Sequence, residues 1–288
     1  MNMIDIRSAR TCDCSEKHLS CISAREWMKN QIGVWDFTYS SRDIRDKSVH
    51  PAVFPIALPS RVIEQFTHKG ELVLDPFVGT GTTLLAAQDL DRNAVGFDLN
   101  ETYVKFAEER LHDGINLFES EQIIVQDDAR RIAEYLPSES VKLVVTSPPY
   151  ANLLNRPRKN KSRRGGLRKN AQLNKIEQYS QDERDLGTLD ADGFEKAISS
   201  IFSGIRPLVT PDAHVVINIT DAWISGRREP LHINVVNAMR SAGFEFRNTI
   251  IWDRRNIVNR IGIFGWPSSY ITMGTTFEYI LDFVPTRV

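Results

Sequence analysis

Ser147, Pro148, Pro149 and Tyr150 follow directly on the apolar run Val141-Lys142-Leu143-Val144-Val145 and Thr146. This order puts a hydroxyl, two backbone-restricting prolines and an aromatic ring at the carboxyl edge of a buried strand, where open α/β sheets build active sites. Each proline fixes φ and removes a backbone donor, so the nearby carbonyls act as acceptors, and Tyr150 offers a flat face for stacking. Such a set suits a planar base carrying an exocyclic amine. That nitrogen is conjugated with its ring and is a poor nucleophile. Acceptors for both of its hydrogens, Ser147 Oγ and a proline carbonyl, help it pyramidalise toward an electrophilic methyl group. Standing alone, the pentapeptide reads better as a Pro-Pro turn that ends a strand.

The elements that must position these residues lie upstream. Residues 71–75 read as a buried strand, followed by the turn Pro76-Phe77-Val78-Gly79-Thr80-Gly81 and a helix through Leu84-Leu85-Ala86-Ala87. Gly79 and Gly81 are expected to let the backbone approach a ligand, with Thr82 and its neighbours supplying the helix N-cap. The turn lacks the third glycine of a dinucleotide fingerprint and the lysine of a phosphate loop, so a nucleoside without pyrophosphate fits better. A second strand, 94–98, ends in Asp98 about 20 residues after the glycines, where a carboxylate can reach ribose hydroxyls. A third, 123–126, is followed by Asp127 and Asp128, either of which can accept from an adenine amino group.

Together these motifs resemble those of the S-adenosylmethionine-dependent DNA amino-methyltransferases, the N4-cytosine/N6-adenine family with an SPPY catalytic signature. The resemblance runs from about residue 50 to the C-terminus. It implies a Rossmann-like class I methyltransferase fold of the α/β class, a mostly parallel sheet with a C-terminal antiparallel hairpin. It further implies S-adenosyl-L-methionine as cofactor, held by Phe54 and Pro55 of the segment over its methionine end, by Asp75, Phe77, Gly79, Gly81 and Thr82, by Asp98 at the ribose and by Asp128 at the adenine. Ser147, Pro148, Pro149 and Tyr150 match the catalytic loop. Serine ahead of the prolines is more typical of cytosine N4 enzymes, and aspartate of adenine N6 enzymes. The expected activity is methylation of a base flipped out of double-stranded DNA, in a restriction-modification setting. Adenine N6 methylation, an RNA amino-methyltransferase and a non-catalytic DNA-binding subunit are the alternatives, in that order. In this chain the methyl-donor motifs precede the catalytic loop, whereas many relatives are circularly permuted.

Composition agrees with this reading without producing it. The chain has 288 residues, 41% hydrophobic and 25% charged, enough for one large α/β core. No stretch is long and apolar enough to span a bilayer and there is no secretory pattern, so a cytoplasmic, nucleoid-associated prokaryotic protein that does not engage membranes is expected. The net charge of −1 is low for a partner of a polyanion, but basic residues are concentrated. Between positions 156 and 169 stand Arg156, Arg158, Lys159, Lys161, Arg163, Arg164, Arg168 and Lys169 with no acid among them. Residues 151–192 are therefore expected to form a basic DNA-contacting insertion that grips phosphates. Arg254 and Arg255, near Asn256, Asn259 and Arg260, form a second candidate, because Arg and Asn can read base edges bidentately. A cognate restriction endonuclease is an indirect partner at most, and the protein is expected to be a monomer or homodimer.

Helical spacing marks residues 194–205 and 231–242, and residues 213–219, 244–252 and 278–284 read as strands, the last two as a hairpin. Phe264 and Trp266, between them, are candidates for the target-base pocket or for packing on the sheet. Residues 1–49 form an N-terminal extension to a catalytic domain spanning 50–288. The extension holds every cysteine of the chain, in the pattern Cys12, Cys14, His18, Cys21. This spacing is tighter than usual for structural zinc, so the cysteines read as reduced thiols and no metal is expected.

Overall fold

The computed structural model describes residues 3–6, 8–15, 17–41, 43, 54–112, 119–149, 182, 184–224, 227–256 and 273–287. In chain order these form α1 (Ala24–Lys29), β1 (Val34–Asp36), α2 (Ala57–Phe66), β2 (Leu72–Asp75), α3 (Thr82–Asp89), β3 (Asn93–Asp98), α4 (Glu101–His112), β4 (Gln122–Gln126), β5 (Val141–Thr146), α5 (Ala191–Ile205), β6 (Val209–Ile219), β7 (Ala222–Ile224), β8 (Arg227–Glu229), α6 (Leu231–Ser241), β9 (Phe244–Asp253) and β10 (Phe277–Pro285). A 3₁₀ turn, Ala129–Glu134, follows β4.

Among the described residues one eight-stranded sheet runs in the order β1-β9-β10-β6-β5-β2-β3-β4. Its pairs are parallel except those made by β10, which lies antiparallel to both β6 and β9. The expected closing hairpin is therefore present, and the fold is the mixed α/β, Rossmann-like arrangement. The central strands β2 and β5 are buried at every position, which explains why their sequences are continuous apolar runs and not alternating ones. Helices cover both faces. On one side α5 and α6 pack through Phe194, Ile198, Ile201, Phe202, Val235 and Met239; on the other, α2 and α3 bury Val62, Ile63, Leu84 and Leu85. Each such side chain is fully enclosed, so truncation of any one to Ala costs about 2–5 kcal/mol.

The extension is part of this sheet. Val34, Trp35 and Asp36 pair in parallel with Ile251, Trp252 and Asp253. Trp35 is 1% exposed, with Arg61 stacked 4.4 Å over its ring. Phe37 meets Trp35 and Trp252 edge-on. At the level of strands, the sheet crosses the boundary expected between residues 49 and 50.

Strand order reverses between β2 and β5. From β2 the chain winds outward through β3 and β4, and from β5 it winds the other way through β6. This is a topological switch point, and the crevice outside the carboxyl ends of the two strands is where such sheets bind ligands.

Candidate active site

A cleft open to solvent lies at that switch point. It is lined by Phe54, Asp75, Phe77, Gly79, Thr82, Asp98, Asp128, Ser147, Pro148 and Pro149, so residues spread over almost a hundred positions meet in one place. Tyr103, Asp127, Arg184, Asp185 and Leu186 also line it.

Asp75, at the end of β2, organises the crevice. Its Oδ1 accepts from Thr146 Oγ1 at 2.6 Å and from the Phe77 amide at 3.1 Å, and its Oδ2 accepts from Thr83 Oγ1 at 2.6 Å. One carboxylate thus ties the end of β5 and the first turn of α3 to the turn after β2. Burial pushes the Asp75 carboxyl up to about 6, against the opposing pull of Thr146, Thr83 and the Phe77 amide. Because Thr146 immediately precedes Ser147, this bond fixes where the Ser-Pro-Pro segment starts.

Asp98, at the end of β3, is only partly covered. Its Oδ2 accepts from the Gly79 amide at 2.9 Å and its Oδ1 from the Asn100 amide at 2.8 Å. A carboxylate offers about four acceptor directions, so each oxygen retains capacity for a diol. Burial also raises this carboxyl to about 6, opposed by the Asn100 and Gly79 amides and assisted by the nearby charges of Asp75 and Asp185. Asp128 is 6% exposed and caps the 3₁₀ turn by accepting from the Arg130 amide at 2.9 Å; the Arg130 guanidinium pairs with it at 2.9 Å. Asp127 instead accepts from Tyr135 Oη at 2.6 Å and pairs with Arg131.

One local expectation needs correction. The α3 N-cap is Gly81 and not a threonine: Gly81 has φ +81° and no side-chain cap is made, because Thr83 is engaged by Asp75. A Cβ at this position would stand 2.9 Å from Ala107 Cβ, so its bare backbone permits α3 to lie against α4, and it does not line the cleft. Pro55, also expected at the cofactor, is buried outside the cleft lining, with its carbonyl accepting from the Leu58 amide. In β3, a Cβ on Gly96 would meet Val78 Cγ2 at 2.5 Å, so the missing side chain lets the Val78-Gly79 turn settle onto the strand.

Asp185 and Arg184 were not legible as cleft residues. Asp185 accepts from the Gly187 amide at 2.8 Å and starts a short 3₁₀ turn, which in sequence reads only as a cap. Arg254 is held inward: it pairs with Glu278, which accepts from Asn218 at 2.7 Å, and it stacks 4.9 Å over Trp252. Arg255 is well exposed and pairs with Asp253 at 2.6 Å. Tyr150, Arg156, Arg158, Lys159, Arg163, Arg164, Phe264 and Trp266 lie outside the described residues. Among the described residues no helix is long and apolar enough to cross a membrane.

The family model N6_N4_Mtase, described as DNA methylase, matches residues 9–109 and 141–288. The Type II methyltransferase M.HpaI of Haemophilus parainfluenzae is 37% identical over 91 residues, covering 32% of this chain and 29% of that protein. M.MthZI of Methanothermobacter thermautotrophicus is 34% identical over 127 residues, 42% of this chain and 34% of its own length. M.SmaI of Serratia marcescens is 47% identical over 83 residues, 29% and 27% of the two chains. The chain thus spans about a third of the length of the curated relatives it matches.

Proposed function

The chain belongs to the N6_N4_Mtase family of DNA methylases, and from that premise we propose that it methylates the exocyclic amine of a base flipped out of double-stranded DNA, cytosine N4 ahead of adenine N6. S-adenosyl-L-methionine is its cofactor and supplies an electrophilic methyl group on a sulfonium. The residues present fit that group. Asp98 keeps acceptor capacity toward the cleft after taking two backbone amides, which matches two vicinal ribose hydroxyls. Asp128 stands across the same cleft for the adenine, with Phe77 and Phe54 as apolar walls.

The observation that carries the reading is the bond from Thr146 Oγ1 to Asp75. It joins the Ser147-Pro148-Pro149 segment rigidly to the turn that begins the cofactor site, so donor and acceptor loops share one anchor. Ser147 Oγ and a proline carbonyl accept from the target amine, raising the electron density of the nitrogen as it attacks. Tyr150 stacks on the extruded base, because a base inside the duplex cannot present its amine in line with the methyl group. No covalent nucleophile is required, and the proton leaves once the nitrogen has become cationic. Residues 156–169 grip phosphates, and Arg255 is the better placed of the two C-terminal arginines to reach DNA, given its exposure. The Type II names of the relatives support a restriction-modification setting with a cognate endonuclease as the indirect partner.

Transfer of tritium from labelled cofactor to duplex DNA, followed by chromatography of the nucleosides, tests this directly. The expected product is N4-methylcytosine, with Ser147→Ala lowering turnover on the order of a hundredfold while cofactor affinity stays near wild type. N6-methyladenine would reverse the base assignment and leave the rest standing. Label in transfer RNA with none in duplex DNA would sink the proposal.

A further inference from the structure

Outside the cleft, at the opposite end of β2, lies a group of side chains that the proposed reaction does not use. Cys12, Cys14 and Cys21 of the extension meet His68, in the turn between α2 and β2, and their ligand atoms all lie within 4.8 Å of one another. Cys12 Sγ is 3.3 Å and Cys21 Sγ 3.6 Å from His68 Nδ1. Tetrahedral zinc, with Zn–S near 2.3 Å and Zn–N near 2.05 Å, requires S···N edges of about 3.6 Å. The two S···N edges made by Cys12 and Cys21 are thus close to those of a coordination shell. The three cysteines are free of disulfides.

The surroundings supply what such a shell needs. The His68 ring is 0% exposed, and its Nε2 lies 2.9 Å from the His18 carbonyl. A carbonyl can only accept, so the ring proton sits on Nε2 and the Nδ1 lone pair faces the thiols, the arrangement by which metal-bound histidines are oriented. The Lys69 amide donates to Cys21 Sγ at 3.4 Å, a bond suited to a thiolate. Three thiolates around a divalent cation leave one net negative charge. The buried guanidinium of Arg92, fixed by Thr67 through its Nε at 3.0 Å, lies within electrostatic reach of Cys12 and Cys21 to balance it.

We propose that Cys12, Cys14, Cys21 and His68 bind one structural zinc ion, and that His18 serves it only through its backbone carbonyl. The site replaces the sequence expectation of reduced thiols without metal, which grouped the cysteines with His18 because His68 is far away in the chain. The ion clamps the extension to the start of β2, where the Thr11 amide already donates to the Lys69 carbonyl at 3.0 Å and Arg10 pairs with Glu71 at 3.0 Å. With four protein ligands the shell is closed, which marks a structural and not a catalytic ion. The inference stands independently of the methylation reading.

The test is metal analysis of the full chain purified without chelator, together with cobalt titration of the reduced, metal-free protein. One zinc per chain is expected, as are the thiolate charge-transfer and d–d bands of tetrahedral cobalt. Cys12→Ser, Cys21→Ser and His68→Ala should each bind metal well below stoichiometry, and His18→Ala should keep a full equivalent. If the cysteine variants prove insoluble, cobalt titration of the wild type against His18→Ala still decides. Absence of zinc together with no tetrahedral cobalt spectrum would overturn the proposal, as would loss of metal in His18→Ala with retention in His68→Ala.

Discussion

The ends of β2 and β3 carry the same chemical group in the same plight and use it differently. Asp75 and Asp98 close adjacent parallel strands, and burial raises both carboxyls to about 6. Asp75 takes two hydroxyls and an amide from three separate segments of the protein. Asp98 takes two amides from its own rim and turns its remaining acceptor capacity toward the cleft. One carboxylate ties three segments together; the other, bonded to two amides, lines the cleft. A motif that records both simply as aspartates misses the distinction, which comes from what surrounds each.

Perturbing the two carboxylates separately should show the division. Asp75→Ala leaves two buried hydroxyls and an amide without their acceptor, at about 1–3 kcal/mol each. The fall in stability from denaturant unfolding is therefore expected to reach about 3 kcal/mol or more, with methyl transfer lost as Ser147 shifts. Unchanged unfolding with weakened cofactor binding would make Asp75 a ligand residue and erase the contrast. Asp98→Ala is expected to do the reverse, removing about 1.5–3 kcal/mol of cofactor affinity by calorimetry, with a much smaller effect on unfolding. Gly81→Ala sharpens the same line within the glycine turn. With φ at +81° and Ala107 at 2.9 Å, it should cost about 1–3 kcal/mol of stability while cofactor affinity, measured on the folded fraction, stays close to wild type.

The smallest expected effect is in pH. A carboxyl raised from 3.8 to about 6 favours the folded state in its protonated form. Its contribution to stability is complete below about pH 4 and is lost as pH rises through 6. Ligand hydroxyls favour the ionised form, so cofactor affinity should run the other way, falling about fourfold on going from pH 7 to 5.5 as Asp98 protonates. An affinity profile as steep in Asp98→Asn as in the wild type would assign the titration to another group.

Much of this was legible because it is local. Continuous apolar runs gave β2, β3 and β5, and the spacing of Phe194, Ile198, Ile201 and Ile205 gave α5, since burial of a strand or a helix face imposes its own period. Asp98 could be placed because strand length and turn length fix where a β3 acid falls. What could not be read were the partners brought together by folding. His68 joins cysteines 47–56 residues away, and Asp185 reaches the cleft from beyond the basic run. The packing of Ala107 against Gly81 was hidden too, because sequence shows that a side chain is missing but not what lies opposite. Arg254 looked free because its partner Glu278 stands 24 residues later, on the neighbouring strand β10.

The pairing of β1 with β9 bears on how the chain comes off the ribosome. The Phe37 carbonyl accepts from Asn256, 219 residues later, so the edge of the sheet made first must wait for nearly the last strand. At synthesis rates of about 5–20 residues per second that interval is roughly 10–45 s. Throughout it Trp35 lacks Trp252 and the β9 backbone that receives β1. A nascent chain arrested before β9 should therefore expose this aromatic edge to chaperones and proteases, although its central strands are already complete.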